Sequence, residues 1–553
     1  MRSLKYIVML GLFVCLTASI YAQAPGSGGN DPLAGQDTMI LENERIEDVI
    51  DSEKPSLQMP YQEIKPSGNE EVQYTSQDFY VETDFEPSPP TVKPLKPQRK
   101  PSLRNNFIKL GFGRFITPLL QLAIGNGRED SYEYGLDFTH FSAHKDGKLE
   151  FRKFREDYGT LKGAFISKEH RLSGKLHFYN TEYYNYADSL FTDRALDSAR
   201  MTYTRVVAGL DLATLYDPAK ELSYNLGGQI RLYTDRRSNR ELHIDITPGI
   251  DYMFLDNLHA GAFGEITYSN ARIGGQTQNR FYASVQPRVR YAKDAIDATA
   301  GVNLDFYTNS VDTSSSFKVF PHIQASYAVN NMAKVEVGYS GRILYNQYSQ
   351  MIQTNRFLDD SIQITPTIEK MNIHALVSGN ANNKLDYMAK VSFRRQENAL
   401  VYTLGADSIF FESAYDSLTS ILGIDLNASY HVSEEIKAGL GLSFNNYKTS
   451  TLQKYFHAVP LRLDVFASYT WNKKLTAKLE SYIFGKTPLG LNASGEIVNR
   501  NVMIDLNLGV DYRISERFSV FLEANNLLAN KYQRWLNYLE RPFDYKGGIT
   551  FIF

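Results

Sequence analysis

From Asn106 to the end of the chain, apolar and polar residues alternate over runs of about ten residues. That is the period of a strand with one apolar face and the length a tilted strand needs to cross a bilayer. Val502, Ile504, Leu506, Leu508, Val510 and Tyr512 fall on one face of such a run, with Met503, Asp505, Asn507, Gly509, Asp511 and Arg513 on the other. Leu242, Ile244, Ile246, Pro248, Ile250 and Tyr252 repeat the pattern against Glu241, His243, Asp245, Thr247, Gly249 and Asp251. Leu385, Tyr387, Ala389, Val391 and Phe393 do so against Asp386, Met388, Lys390, Ser392 and Arg394. The apolar set is expected to face lipid.

A recurring phrase closes these runs: a tyrosine, a few residues of strand, then a tight turn. Tyr252 precedes Asp256-Asn257, Tyr291 precedes Lys293-Asp294, and Tyr327 precedes Asn330-Asn331. Tyr430 precedes Ser433-Glu434-Glu435, Tyr469 precedes Asn472-Lys473-Lys474, and Tyr512 precedes Ser515-Glu516-Arg517. Turns this tight join antiparallel neighbours only. Longer, more polar connections alternate with them, near residues 142, 185, 235, 270, 308, 347, 397, 446, 485 and 528, with a short one near Arg114-Phe115. Strict interleaving of the two kinds predicts an all-β fold, a transmembrane antiparallel barrel of about 22 strands with both ends on one side. Short turns belong on the periplasmic face of an outer-membrane barrel, so both termini are expected there. The six tyrosines then form a girdle at the periplasmic headgroups, where a ring with one polar end is at home.

The two ends of the chain agree with an outer-membrane address in a Gram-negative envelope. Arg2 and Lys5 precede an apolar stretch over residues 6–16, and Ala22 followed by Gln23 reads as a signal cleavage site. The stretch is too short to span a bilayer stably. Cys15, the one cysteine, falls in the discarded segment, which leaves the mature chain without disulfides, thiolate metal sites or cysteine nucleophiles. At the other end Tyr545, Gly547, Ile549, Phe551 and Phe553 alternate with Lys546, Gly548, Thr550 and Ile552. A last strand apolar to its final phenylalanine resembles the signal that bacterial barrel-assembly machinery recognises, so that machinery and outer-membrane lipid are the expected partners.

Three segments follow: 1–22 the signal peptide, 23–105 a polar spacer and 106–553 the barrel. Residues 23–105 are rich in Pro, Glu, Asp, Ser and Gly and end in a proline-rich stretch over 87–101, a composition that cannot bury enough apolar surface to fold alone. The short apolar islands at 37–41 and 79–83 read either as docking peptides for a periplasmic or outer-membrane protein partner or as plain linker. Net charge of −3 gives no reason to expect nucleic acid. Nor does the chain carry a sequence signature of an enzyme, a metal site or a cofactor. His140 and His144 lack a third ligand at suitable spacing, and no Gly-x-Ser-x-Gly elbow frames a serine. Asp407, Glu412 and Asp416 depart from the calcium-loop pattern, and Asp505, Asp511 and Arg513 read as an ion-paired, hydrated lumen lining.

The closing stretch Phe521-Leu-Glu-Ala-Asn-Asn-Leu-Leu-Ala-Asn530-Lys-Tyr532, then Tyr538, Arg541-Pro542 and the strand to Phe553, resembles the end of TonB-dependent receptors. The resemblance implies a transporter-sized barrel acting in solute transport or passage across the outer membrane. The chain departs from that family before the barrel. Where those receptors carry a folded plug, residues 23–105 have neither a plug-like composition nor a visible energy-coupling motif. A bare barrel of this size is a wide hole, so the lumen is expected to be filled by the N-terminal segment, by inward-folded loops or by another protein. The other open reading is a non-transporting scaffold or assembly subunit of an outer-membrane complex.

Overall fold

The computed structural model describes residues 106–126, 131–144, 153–187, 199–215, 221–310, 315–330, 332–492 and 494–553. The signal peptide, the Ala22/Gln23 site, the spacer over 23–105 and Asn331 lie outside the described residues.

Twenty-two antiparallel strands form one sheet that closes on itself. Closure is made by the first strand, Phe107–Gly113, pairing with the last, Asp544–Ile552, with Phe107 opposite Ile552 and Gly113 opposite Lys546. Barrel strands range from 7 residues in Phe107–Gly113 to 18 in Gln276–Lys293. Alternation sorts side chains as the sequence pattern requires. Ile246, Ile250, Val391, Ile504 and Leu508 are exposed on the outside, while Glu241, His243, Ser392, Met503 and Asp505 are buried on the inside. Exposure of so many large apolar side chains fits a wall whose solvent is hydrocarbon.

Tight turns and longer connections interleave around the ring. At the tight end, Lys384 N–H bonds the Ala381 carbonyl at 3.1 Å across Asn382 and Asn383, both with φ of 56°. Lys474 N–H likewise bonds the Trp471 carbonyl at 3.0 Å across Asn472 and Lys473, with φ of 49° and 53°. Positive φ at both central residues matches the right-handed twist of the flanking strands, which is why asparagine recurs there. Tyr252, Tyr291, Tyr327, Tyr430, Tyr469 and Tyr512 are all exposed, and each pairs across the sheet with an apolar residue near this end: Leu222, Leu258, Ile296, Leu385, Ile436 and Leu475.

The other end departs from the sequence reading in three respects. The connections near 235 and 270 are short: Ile273 pairs with Gln276 across Gly274 and Gly275 alone, and Asp235 joins Arg240 through four residues. The 397–420 connection, read as a polar loop, carries its own hairpin, Ala399–Leu404 against Phe411–Asp416. Its Ala399, Leu400, Val401 and Phe411 are buried, so these apolar side chains have partners in other loops. The 347–363 connection holds a short helix, α1 (Tyr348–Thr354), also largely buried.

Ile246 lies midway along the outward face of its strand and Thr247 faces the lumen. Ile246→Arg is expected to cost about 2–4 kcal/mol in lipid and Thr247→Arg less than about 1 kcal/mol. Unfolding of both variants by denaturant from lipid vesicles checks this; equal losses would overturn the register.

Candidate functional site

The inward faces of Tyr183, Tyr203, Tyr233 and Ile273, at the long-connection ends of their strands, meet side chains from loops spaced around the ring. Met351, Ile352, Phe357, Leu358, Ile362 and Ile364 come from the 345–366 connection, Leu400, Tyr402 and Phe411 from the 397–420 hairpin, Leu489 from the connection before Met503, and Trp535, Leu536 and Tyr538 from the connection before the last strand. The first two connections leave neighbouring hairpins and so do the last two, but the wall residues they meet stand on strands elsewhere in the ring, so they share one core by folding inward across the mouth. Phe357 stacks on Tyr538 with ring centroids 3.6 Å apart, and Phe411 meets Trp535 edge-on at 5.2 Å. Backbone and hydroxyl bonds lock the same segments. Phe411 N–H donates to the Phe357 carbonyl and Asp359 N–H to the Phe411 carbonyl, both at 2.8 Å. Tyr538 Oη–H donates to the Ile409 carbonyl and Tyr186 Oη–H to the Leu539 carbonyl, both at 2.7 Å, and Tyr183 Oη–H donates to the Arg356 carbonyl.

A buried ion pair fastens α1 to the wall. Glu241 and Arg280, on neighbouring parts of the inner face, are 1% exposed each and 2.8 Å apart. The α1 N-cap residue, Gln347, makes no side-chain cap bond. Glu241 does that work from the wall, accepting from Tyr348 N–H at 3.1 Å and Ser349 N–H at 2.9 Å. A carboxylate there satisfies donors that the first turn leaves open and suits the positive end of the helix. Arg280 is held in turn by Ser269 Oγ at 2.9 Å and the Asn346 carbonyl, with the Tyr345 ring 5.1 Å away. Removal of either charge strands the other in a dry site, a change that costs about 3–5 kcal/mol.

The rest of the 345–366 connection is pinned by amides along the inner wall. Gln278 spans it, its Nε2 donating to the Ile362 carbonyl at 2.9 Å and its Oε1 accepting from Ile364 N–H at 3.2 Å. Gln347 meets His243 Nε2 at 3.1 Å and Arg231, and Arg231 pairs with Asp245 at 2.7 Å. Asn239 Nδ2 bonds Asp360 at 2.8 Å, and its Oδ1 accepts from Gly274 N–H at 2.9 Å. Gly274 has φ of 55°, and a Cβ there would lie 2.4 Å from the Asp360 carbonyl oxygen, so both the turn and the close approach require glycine.

A second carboxylate clasps the loop over 449–460. Asp416 is fully buried and accepts from Thr451 N–H and Thr451 Oγ1 at 2.8 Å, Leu452 N–H at 3.0 Å, Ser450 N–H at 3.1 Å and Thr419 Oγ1 at 2.7 Å. Burial alone would raise this carboxyl; bonds from Thr419, Leu452 and Thr451 hold it down at about 2. Its oxygens are taken by N–H and O–H donors, the opposite of a cation site, and Asp407 accepts from Ile409 and Phe410 N–H in a local turn. Among the described residues no group of acids, histidines and cysteines is placed to hold a metal ion. In the same loop His457 lies 4.5 Å from Trp535 and 5.1 Å from Phe411, ring centre to ring centre. Burial pushes its imidazole down to about 3, with Arg500 and Arg534 adding to the shift.

Other residues picked out in the sequence take the following places. His140 and His144 do come together, through Ser142. Asp157 Oδ1 lies 2.7 Å from His140 Nδ1, and Ser142 Oγ is 3.2 Å from His140 Nε2 and 3.3 Å from His144 Nε2. The order is that of an Asp-His-Ser triad, but Ser142 is 0% exposed and so closed to a substrate. Asp505 is buried on the inner face, where Glu523 sits between Lys109 at 2.7 Å and Lys546 at 3.0 Å beside the closing seam. Phe553 N–H bonds the Asn106 carbonyl at 2.9 Å, so the final residue takes part in closure.

The pH dependence of the loop core follows from His457. Its folded value of about 3 lies below the ordinary 6.5, so the opened loop takes a proton first. Loop stability is complete above about pH 6.5 and falls by up to about 1.4 kcal/mol per pH unit below it. Asp416 adds its loss only below its ordinary range. Amide hydrogen exchange over 449–460, corrected for intrinsic rate, is expected to lose protection between pH 7 and pH 5 in the natural chain and to stay flat in His457→Phe. Equal protection at both pH values in the natural chain would overturn the assignment.

No protein-family model and no curated sequence matches the chain. Solved structures match on fold. The FrpB iron transporter from Neisseria meningitidis is 12% identical, with a TM-score of 0.63 over 82% of this chain and 83% of that one. The ferric-catecholate import receptor Fiu from K12 E. coli is 9% identical, with a TM-score of 0.62 over 81% and 82%. The ferripyoverdine receptor of the outer membrane of Pseudomonas aeruginosa is 11% identical, with a TM-score of 0.60 over 82% and 72%. Together with the closed ring and the strand order, these matches give the chain the 22-stranded barrel fold of TonB-dependent outer-membrane receptors.

Proposed function

We propose that the chain is an outer-membrane barrel that passes a solute through its lumen, and that the loop-built core at the long-connection end is its gate. One observation carries this reading: loops from around the ring share a single apolar core across the mouth, and Glu241 and Asp416 fasten them. A scaffold has no need of a fastened mouth, whereas a wide pore does. The neighbours in fold support the same reading: they are an iron transporter, an import receptor and a receptor bound to ferripyoverdine.

In this reading the gated mouth faces outward, the tight turns and both termini face the periplasm, and the six tyrosines lie at the periplasmic headgroups. Residues 23–105, freed by cleavage between Ala22 and Gln23, act as an extended tether for an envelope protein and leave occlusion to the loops. The strand ending at Phe553 carries the barrel-assembly signal.

Planar-bilayer recordings of three forms test the gate. The whole chain and a form lacking 23–105 are expected to conduct little. A form carrying Glu241→Ala with residues 348–364 replaced by a short Gly-Ser link is expected to open a large, stable conductance. Equal conductance in all three would sink the gate, and a large conductance on removal of 23–105 alone would make that segment the stopper. Orientation is tested by protease sites inserted in intact cells: one between Ala406 and Asp407 is expected to be cut from outside, and one between Asn382 and Asn383 only after the outer membrane is opened. The reverse pattern would invert the barrel.

A further inference from the structure

The outer wall carries a cationic row that solute passage does not use. It lies at the long-connection ends of four consecutive strands, Leu222–Asp235, Arg240–Leu255, Leu258–Ile273 and Gln276–Lys293. Thr234 stands opposite Arg240, Arg240 opposite Arg272, and Arg272 opposite Thr277. All four are exposed, and their chain neighbours Glu241, Ala271, Ile273 and Gln278 are buried on the lumenal side, so the row faces outward.

Two like charges directly opposite on one sheet face repel. Two other arginines at the same end are neutralised: Arg155 meets Asp157 at 2.7 Å and Arg200 meets Glu182 at 2.9 Å. Arg240 and Arg272 meet no carboxylate among the described residues, and the outward positions of their strands and of the two flanking strands hold no Asp or Glu. The pair therefore lacks the counter-charge that Arg155 and Arg200 have.

Position along the wall identifies what supplies it. Below the row come Leu232, Leu242, Asn270 and Asn279 at one level, and below those the exposed apolar belt of Ile230, Tyr268, Ile246 and Ile266. At about 3.4 Å per residue the arginines stand about 7 Å along the tilted strands beyond the Leu242 level, on the rim side of the apolar belt, where hydrocarbon gives way to headgroups. A guanidinium presents a planar fork of donors that matches phosphate oxygens, and each hydroxyl adds a further donor at the flank. We propose that Arg240 and Arg272, flanked by Thr234 and Thr277, bind the phosphate of a lipid headgroup in the leaflet at this end of the barrel. A phosphate bridging the two forks turns their repulsion into a shared attraction. The proposal rests on the membrane reading of the barrel.

The test uses the full chain in neutral detergent, with native mass spectrometry reading the lipid retained. Three probes are compared: a phosphorylated diglucosamine lipid, the same lipid with its phosphates removed, and inorganic phosphate. Retention of the phosphorylated lipid alone is expected, and Arg240→Gln with Arg272→Gln together should weaken it by about tenfold or more, as loss of two charge-assisted donors implies. Equal retention of the dephosphorylated lipid would overturn the proposal without recourse to any variant. Displacement of the lipid by an equal concentration of inorganic phosphate would overturn the assignment to a lipid. Unchanged affinity in the double variant, with its heat-modifiable migration intact, would overturn the assignment to these residues. Insertion of the natural chain into vesicles is followed in parallel: failure there sinks the membrane reading, whereas insertion without phosphate discrimination sinks this inference alone.

Discussion

A backbone amide or carbonyl in hydrocarbon has no water to bond, and that constraint organises the whole barrel. An open sheet would leave two edges unpaired, so the first strand must reach the last, as Phe107 reaches Ile552 and Lys109 reaches Thr550. Once closed, every wall strand has an inside and an outside, and the period of two in the sequence becomes a division between lipid and lumen. The buried cluster of Lys109, Glu523 and Lys546 sits beside the seam where closure is made, so the three strands that must find one another also share a lumenal charge match.

The interior is organised by a different economy. Wall strands offer carboxylates and amides at fixed positions, and the loops bring N–H and carbonyl groups to them. Glu241 ends α1, Asn239 and Gln278 grip the backbone around residues 360–364, and Asp416 gathers three consecutive amides of the loop over 449–460. Each clasp is buried, so each is strong when complete and expensive when broken. Apolar side chains then fill the space between the clasped backbones, and their aromatic edges and faces join segments that no clasp connects directly, as Phe357 does with Tyr538.

Wall and turns were legible in the sequence because both are local. Alternation from Val502 to Tyr512 needs no partner to be recognised, and the turns around Asn382 and Asn472 announce themselves by residues that tolerate positive φ. The core over the mouth was not legible, because its signals are spread along the chain: Glu241 and Ser349 are 108 residues apart, and Asn537 and Ser408 are 129 apart. The segment Ala399-Leu400-Val401-Tyr402, buried on both faces, has no alternation to read, and among polar neighbours it passed for loop. The asparagine-free pair Gly274-Gly275 was a visible turn signal, yet its length was hidden by the expectation that this end of the barrel carries long connections. His140, Ser142 and Asp157 were close enough to suspect from spacing on neighbouring strands, and only burial shows that the arrangement is sealed.

A stopper cut from the loops of its own wall differs in one mechanical respect from a separate body lodged in a pore. Every piece of it is covalently leashed at both ends. The connection between Leu344 and Thr367 has a contour of about 75 Å when fully stretched, enough to swing clear of the mouth and too little to leave it. Displacement is therefore unimolecular, and the displaced piece stays at a high effective concentration over its seat. In the gate proposed above, reseating therefore needs no diffusive search and no second copy of anything, and its rate is set by loop closure alone.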